Sequence, residues 1–168
     1  LPALLCLKGA MAVTGGILVL LPLYAGTVFP RAAGPLFLGL LYASRGVGAL
    51  FGSMGVRLVV GDGLRTLQWS IVPAFGILGT MYVAMSMSPS FWLTAVFFAI
   101  SAVGAGVVWT FAGTLGQLAT TRGVRGRLFA MEFGLTMLVS ATASLVTGAV
   151  LDAGMAPRDV TLALGVVS

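Results

Sequence analysis

The sequence predicts an all-α fold: a polytopic membrane protein built as a bundle of six helices. Three observations lead there. Hydrophobic residues make up 59% of the 168 positions and charged residues only 8%, where a soluble domain carries roughly 25% charge. The mean hydropathy is +1.11. The few polar clusters are spaced so that they cut the chain into apolar stretches long enough to cross a bilayer. Residues 66 to 121, for example, hold no charge. As one helix that stretch would reach roughly 84 Å, against a hydrocarbon core of about 30 Å, so it must fold back on itself.

Composition also removes function classes. The formal charge of +5 comes from arginines in the polar breaks, not from a basic face, which speaks for membrane topology and against nucleic acid. There is no histidine and a single cysteine, Cys6. That excludes a Cys/His zinc site, a disulfide within the chain and any His-based triad. Four acidic residues leave little for a metal or a carboxylate pair. No cofactor and no metal are expected, and the chain does not read as an enzyme. It starts on Leu1 and ends inside an apolar run at Ser168, so it reads as a fragment. Lys8 before an apolar core imitates a signal peptide, but the run from Gly9 to Pro30 exceeds an h-region of roughly 7–15 residues.

The spans follow in order. Span A covers about 8–29, with Pro22 as an expected kink and Thr14, Gly15 and Gly16 as a small-residue patch. A loop with Pro30 and Arg31 leads to span B, about 34–58. Span B is apolar except for Arg45 near its middle. Its glycines include the pair Gly48 and Gly52, whose spacing lets membrane helices approach closely. Arg45 lies three and seven positions before them and shares their face. An arginine at that depth costs at least roughly 3 kcal/mol on insertion scales, so it is expected to face the bundle or a wet cavity and to serve function, unless it only holds helices together. The pair Asp62-Gly63 then marks a turn.

Span C covers about 67–85, with Pro73 as its expected kink, and Ser86 to Ser90 forms the reversal. Span D covers about 91–118. Gly104, Gly106, Gly113 and Gly116 recur along it, and Thr110, Gly113, Thr114 and Gln117 fall on one helical face. Gly106 and Gly113 are expected at helix contacts. Trp109, Thr110 and Gln117 are candidates to line a cavity, with a helix–helix contact as the other reading. A loop with Arg122, Arg125 and Arg127 precedes span E, about 126–151, which carries Glu132 and a small polar stripe of Thr136, Ser140, Ser144, Thr147 and Gly148. Span F, about 160–168, stops short of a full crossing.

Orientation follows from the cations. The breaks after spans B and D hold Arg57, Arg65, Arg122, Arg125 and Arg127, with Asp62 among them, and Lys8 is read on the same side. The other breaks hold Arg31 and Arg158 with Asp152 and Asp159. The positive-inside rule therefore puts loops 59–66 and 119–126 in the cytoplasm.

Six spans with a basic loop before span E resemble the C-terminal half of a major facilitator superfamily transporter. The stretch from Gly39 to Gly52 is similar to the eighth helix of bacterial drug and siderophore exporters of that superfamily. Arg125-Gly126-Arg127-Leu128-Phe129-Ala130 is similar to the entry of their eleventh helix, and Gly148 to Asp152 to its outer end. The superfamily's loop signature is reduced here to Gly52, Arg57 and Arg65. The resemblance implies that spans A to F are helices 7 to 12 of a bacterial plasma-membrane protein. It further implies a missing N-terminal six-helix half and a substrate site between the halves near the midplane. Spans A and D would line that site.

Two charges are expected inside the bundle, Arg45 and Glu132. Glu132 reads either as a proton-coupling carboxylate or as an acid in the first turns of span E, near Arg125 or Arg127. A direct pair with Arg45 requires a long reach, since their depths differ by roughly 10 Å. The leading expectation is proton-coupled efflux of a small amphipathic molecule by alternating access. The competing one is a non-transporting receptor or assembly subunit on the same fold.

Overall fold

The computed structural model describes residues 2–29, 34–56, 58, 63–121 and 123–167. The expectations placed on Arg31, Arg57, Asp62 and Arg122 lie outside the described residues. Among the described residues the chain is all-helical, without strands.

Six helices follow one another. α1 is a composite of Pro2–Val13, a 3₁₀ turn Thr14–Gly16, Ile17–Leu23 and a π turn Tyr24–Val28. The π turn begins two residues after Pro22 and is closed by the Phe29 amide donating to the Tyr24 carbonyl at 3.2 Å. Proline withholds a donor from the ladder, and membrane helices absorb the loss by such local adjustments. α2 is Pro35–Leu50 extended by a π turn Phe51–Gly55. α3 is Leu64–Ser86, α4 Phe91–Leu118, α5 Arg125–Asp152 and α6 Pro157–Val167. α3 starts before the break predicted by the sequence ends, and it passes Pro73 without leaving α geometry. The first five helices are long and apolar enough to cross a membrane.

α4 is the hub, and α1, α2 and α3 pack against it. α6 lies on α3, and α5 lies on α1. One apolar cluster ties α1, α2, α3, α4 and α6 together through Leu20, Tyr24, Leu41, Leu78, Phe98 and Val160. A second joins α3 to α4 through Leu67, Ile71, Val107, Val108 and Phe111. At the end of α3 that leads into α4, Arg158 donates to the Ser88 carbonyl at 2.9 Å and the Tyr24 hydroxyl to Thr161 at 3.0 Å. Both bonds hold α6 in place.

α5 reverses the pattern of a water-soluble helix. Its buried residues are Glu132, Thr136 and Thr147, while Met131, Phe133, Leu138, Leu145 and Val146 are exposed. Polar-inside and apolar-outside suits lipid as solvent, where small and polar residues hold helices together. Its stripe meets the small patch of α1. The Cβ of any side chain at Gly15 would collide with Ser140, and at Gly16 with Thr147. The helix ends at Gly154, whose φ of 95° suits the left-handed turn that stops a helix.

Candidate functional site

The site begins with how closely α2 approaches α4. A Cβ at Gly48 would run into the Ala99 carbonyl, and one at Gly52 into the Val103 carbonyl. From the other side, a Cβ at Gly106 would sit 2.6 Å from the Ala49 carbonyl oxygen. Three glycines thus bring two backbones together, and the contact fixes the rotation of α2. Arg45, a turn before Gly48 and exposed, then lines an open cavity of about 760 Å³ bordered by α1, α2, α4 and α5, with Tyr82 of α3 at its wall. Arg45 is ten residues from Pro35 and ten from Gly55, the ends of its span, or about 15 Å from each. Among the described residues it makes no ion pair or hydrogen bond. Tyr42, Tyr82, Trp109, Ser101 and Ser140 share the cavity wall.

A second cavity of about 370 Å³ adjoins the first, and Lys8, Trp109, Thr110 and Thr136 border both. Between them lies a buried ion pair from the Lys8 ammonium to the Glu132 carboxylate. Lys8 is 6% exposed and Glu132 8%. The ammonium also lies 5.1 Å from the Trp109 ring centroid and 5.7 Å from that of Phe129. A buried ammonium without an anion is costly, so the carboxylate and the two ring faces together account for its presence here. The pair is neutral as a unit. Among the described residues Arg45 is therefore the one charge bordering the larger cavity without an ion-pair partner.

Several expectations are corrected by this geometry. Lys8 opens the first span, Lys8–Val28, as expected, but it is buried and not a solvated loop charge. α1 extends outward to Pro2, and Lys8 sits inside the bundle. Glu132 is paired with Lys8 and not with Arg125 or Arg127. Arg125 instead donates to the carbonyls of Gln117 at 2.8 Å and Thr120 at 3.1 Å, where a cation complements the end of α4. A bond between Arg45 and Glu132 is absent. Gly113 is not a close backbone approach like Gly48 or Gly52: a Cβ there would meet only the Lys8 ammonium of α1, at 3.9 Å, and this glycine forms part of the smaller cavity's wall. Trp109 and Thr110 border both cavities and Gln117 the smaller one. Arg65 and Arg127 are exposed.

Lys8, Tyr42 and Tyr82 were not singled out by sequence reasoning. For Lys8 the match of depth shows only once the helix starts are known. Lys8 is six residues from the start of α1 and Glu132 seven from the start of α5. On parallel helices that is roughly 10 Å of depth for each. Among the described residues no group of three or more His, Cys, Asp or Glu side chains gathers to hold a metal. Compared with protein families, curated proteins and solved structures, the chain matches none.

Proposed function

We propose that this chain is the C-terminal half of a secondary transporter of the major facilitator type. It would move a small amphipathic molecule across a bacterial plasma membrane by rocking against an N-terminal six-helix half. One observation supports the reading above the others: a cavity of about 760 Å³ that holds Arg45 at mid-span and is bordered by α1, α2, α4 and α5. Membrane-embedded charges that face a cavity mark substrate or ion pathways. Loops 59–66 and 119–126 are cytoplasmic in this reading. Transport is outward and driven by the proton gradient, and Glu132, an acid bordering the smaller cavity, is the candidate proton carrier.

The test is accumulation of a panel of fluorescent amphipathic molecules in cells making the protein. A difference between energised and uncoupled cells is expected. Arg45→Ala should abolish it while the protein's membrane level stays unchanged. Equal accumulation with and without uncoupler, or normal kinetics in the variant, contradicts the proposal.

A further inference from the structure

We propose that the cavity around Arg45 takes a small organic anion with a flat apolar body, such as an arylcarboxylate; this names the substrate class and rests on the transporter reading above. Charge comes first. Two cations border the cavity, Lys8 and Arg45. Lys8 is neutralised by Glu132, whereas Arg45 has no partner among the described residues. An entering carboxylate supplies what the guanidinium lacks, and the planar fork of arginine matches a carboxylate with two parallel hydrogen bonds.

Aromatic placement comes second. Trp109 is 40% exposed and Tyr42 46% exposed, and both border the same cavity as Arg45. They offer an apolar surface to the body of the ligand. The same geometry disfavours a cationic ligand. The Lys8 ammonium already lies over the Trp109 ring, so the ring face that would attract an organic cation is in use. Such a ligand would also meet Arg45 with no acid free to offset it.

The hydroxyls nearby do not compete for Arg45. Thr14 donates to the Met11 carbonyl at 2.6 Å and Ser101 to the Phe98 carbonyl at 2.8 Å. They bend back to their own helices and meet the Tyr82 hydroxyl, so neither is bonded to the arginine.

The experiment uses the protein reconstituted in phosphatidylcholine vesicles and three probes with one ring system: 1-naphthaleneacetate, 1-naphthaleneethanol and 1-naphthylmethylamine. Binding is read by quenching of tryptophan fluorescence in a Trp69→Phe, Trp92→Phe background, which leaves Trp109 as this chain's reporter. The acetate should bind about tenfold more tightly than the alcohol, the size of one charge-assisted contact, and the amine should bind weakest. Arg45→Gln should remove the preference for the acetate and leave the alcohol unchanged, and Arg45→Lys should restore part of it. A wild-type preference for the amine or the alcohol overturns the proposal. So does an equal loss of all three probes in Arg45→Gln. Adding phosphatidylglycerol separates a free anion from a lipid headgroup: undiminished acetate binding supports the proposal, and loss of binding overturns it in favour of the lipid. Acetate binding without flux in the vesicles would leave this site standing and remove the transporter reading. Flux of the amine would do the reverse.

Discussion

Two basic residues of apolar spans end in opposite situations, Lys8 buried and Arg45 exposed to a cavity, and the difference is geometric. Lys8 meets a carboxylate and two aromatic faces, while Arg45 meets open space. Removing one member of a buried pair strands the other charge, at a cost of roughly 3–5 kcal/mol. Lys8→Met and Glu132→Gln should therefore each lower thermal stability by about that much. The double variant should lose clearly less than their sum, because neither charge is then stranded. Unfolding of the four proteins in detergent measures this, and additive losses contradict the pairing. Arg45 was legible in the sequence because a lone charge in the middle of an apolar run has no bland place to go. Lys8 was not, because a cation near the start of such a run reads as a loop residue. Only the position of α5 beside α1 makes it a partner of Glu132.

Glycines decide how the helices meet. Gly48 and Gly52 sit where α2 touches the carbonyls of α4, whereas a Cβ at Gly39 or Gly46 meets nothing within 4 Å. Alanine at Gly48 or Gly52 should therefore force the helices apart and cost on the order of 1–3 kcal/mol. Alanine at Gly39 or Gly46 should be neutral or stabilise slightly, since the helix gains propensity without a clash. Comparing midpoints of thermal unfolding across the four variants checks this. Equal effects at all four sites would show that α2 does not dock on α4 through this pair. The four-residue spacing announces such a contact in the sequence, but it does not say which helix accepts it. The helix ends were legible where the chemistry is explicit, as at Ser90, whose hydroxyl accepts from the Leu93 amide at 3.4 Å and caps α4. They were less so at the start of α3, which opens at Leu64 directly after the Asp62-Gly63 turn signal and not near 67 as expected. The composite character of α1 was half visible. Pro22 predicted a disturbance, yet the 3₁₀ turn at Thr14–Gly16 arises where small residues press against α5.

At the scale of the molecule, five helices suited to a membrane border a charged cavity, and Leu36, Phe51, Leu138 and Leu145 are exposed away from it. The apolar composition made the class readable at once, because no water-soluble core could absorb so much hydrophobic surface. The cavity was not readable, since it depends on the rotation of four helices at once. Alternating access is the central claim, and it can be tested without knowing the substrate. Gly46 lines the cavity and has room for a side chain. The direct measurement is labelling of Gly46→Cys, with Cys6 and every other cysteine replaced, by a membrane-impermeant maleimide applied to right-side-out and then to inverted vesicles. Gly123→Cys in the Arg122–Arg127 loop serves as the sidedness control and should react from the cytoplasmic face alone. The account predicts that Gly46→Cys reacts from both sides. Reaction from one side only, or from neither, contradicts it.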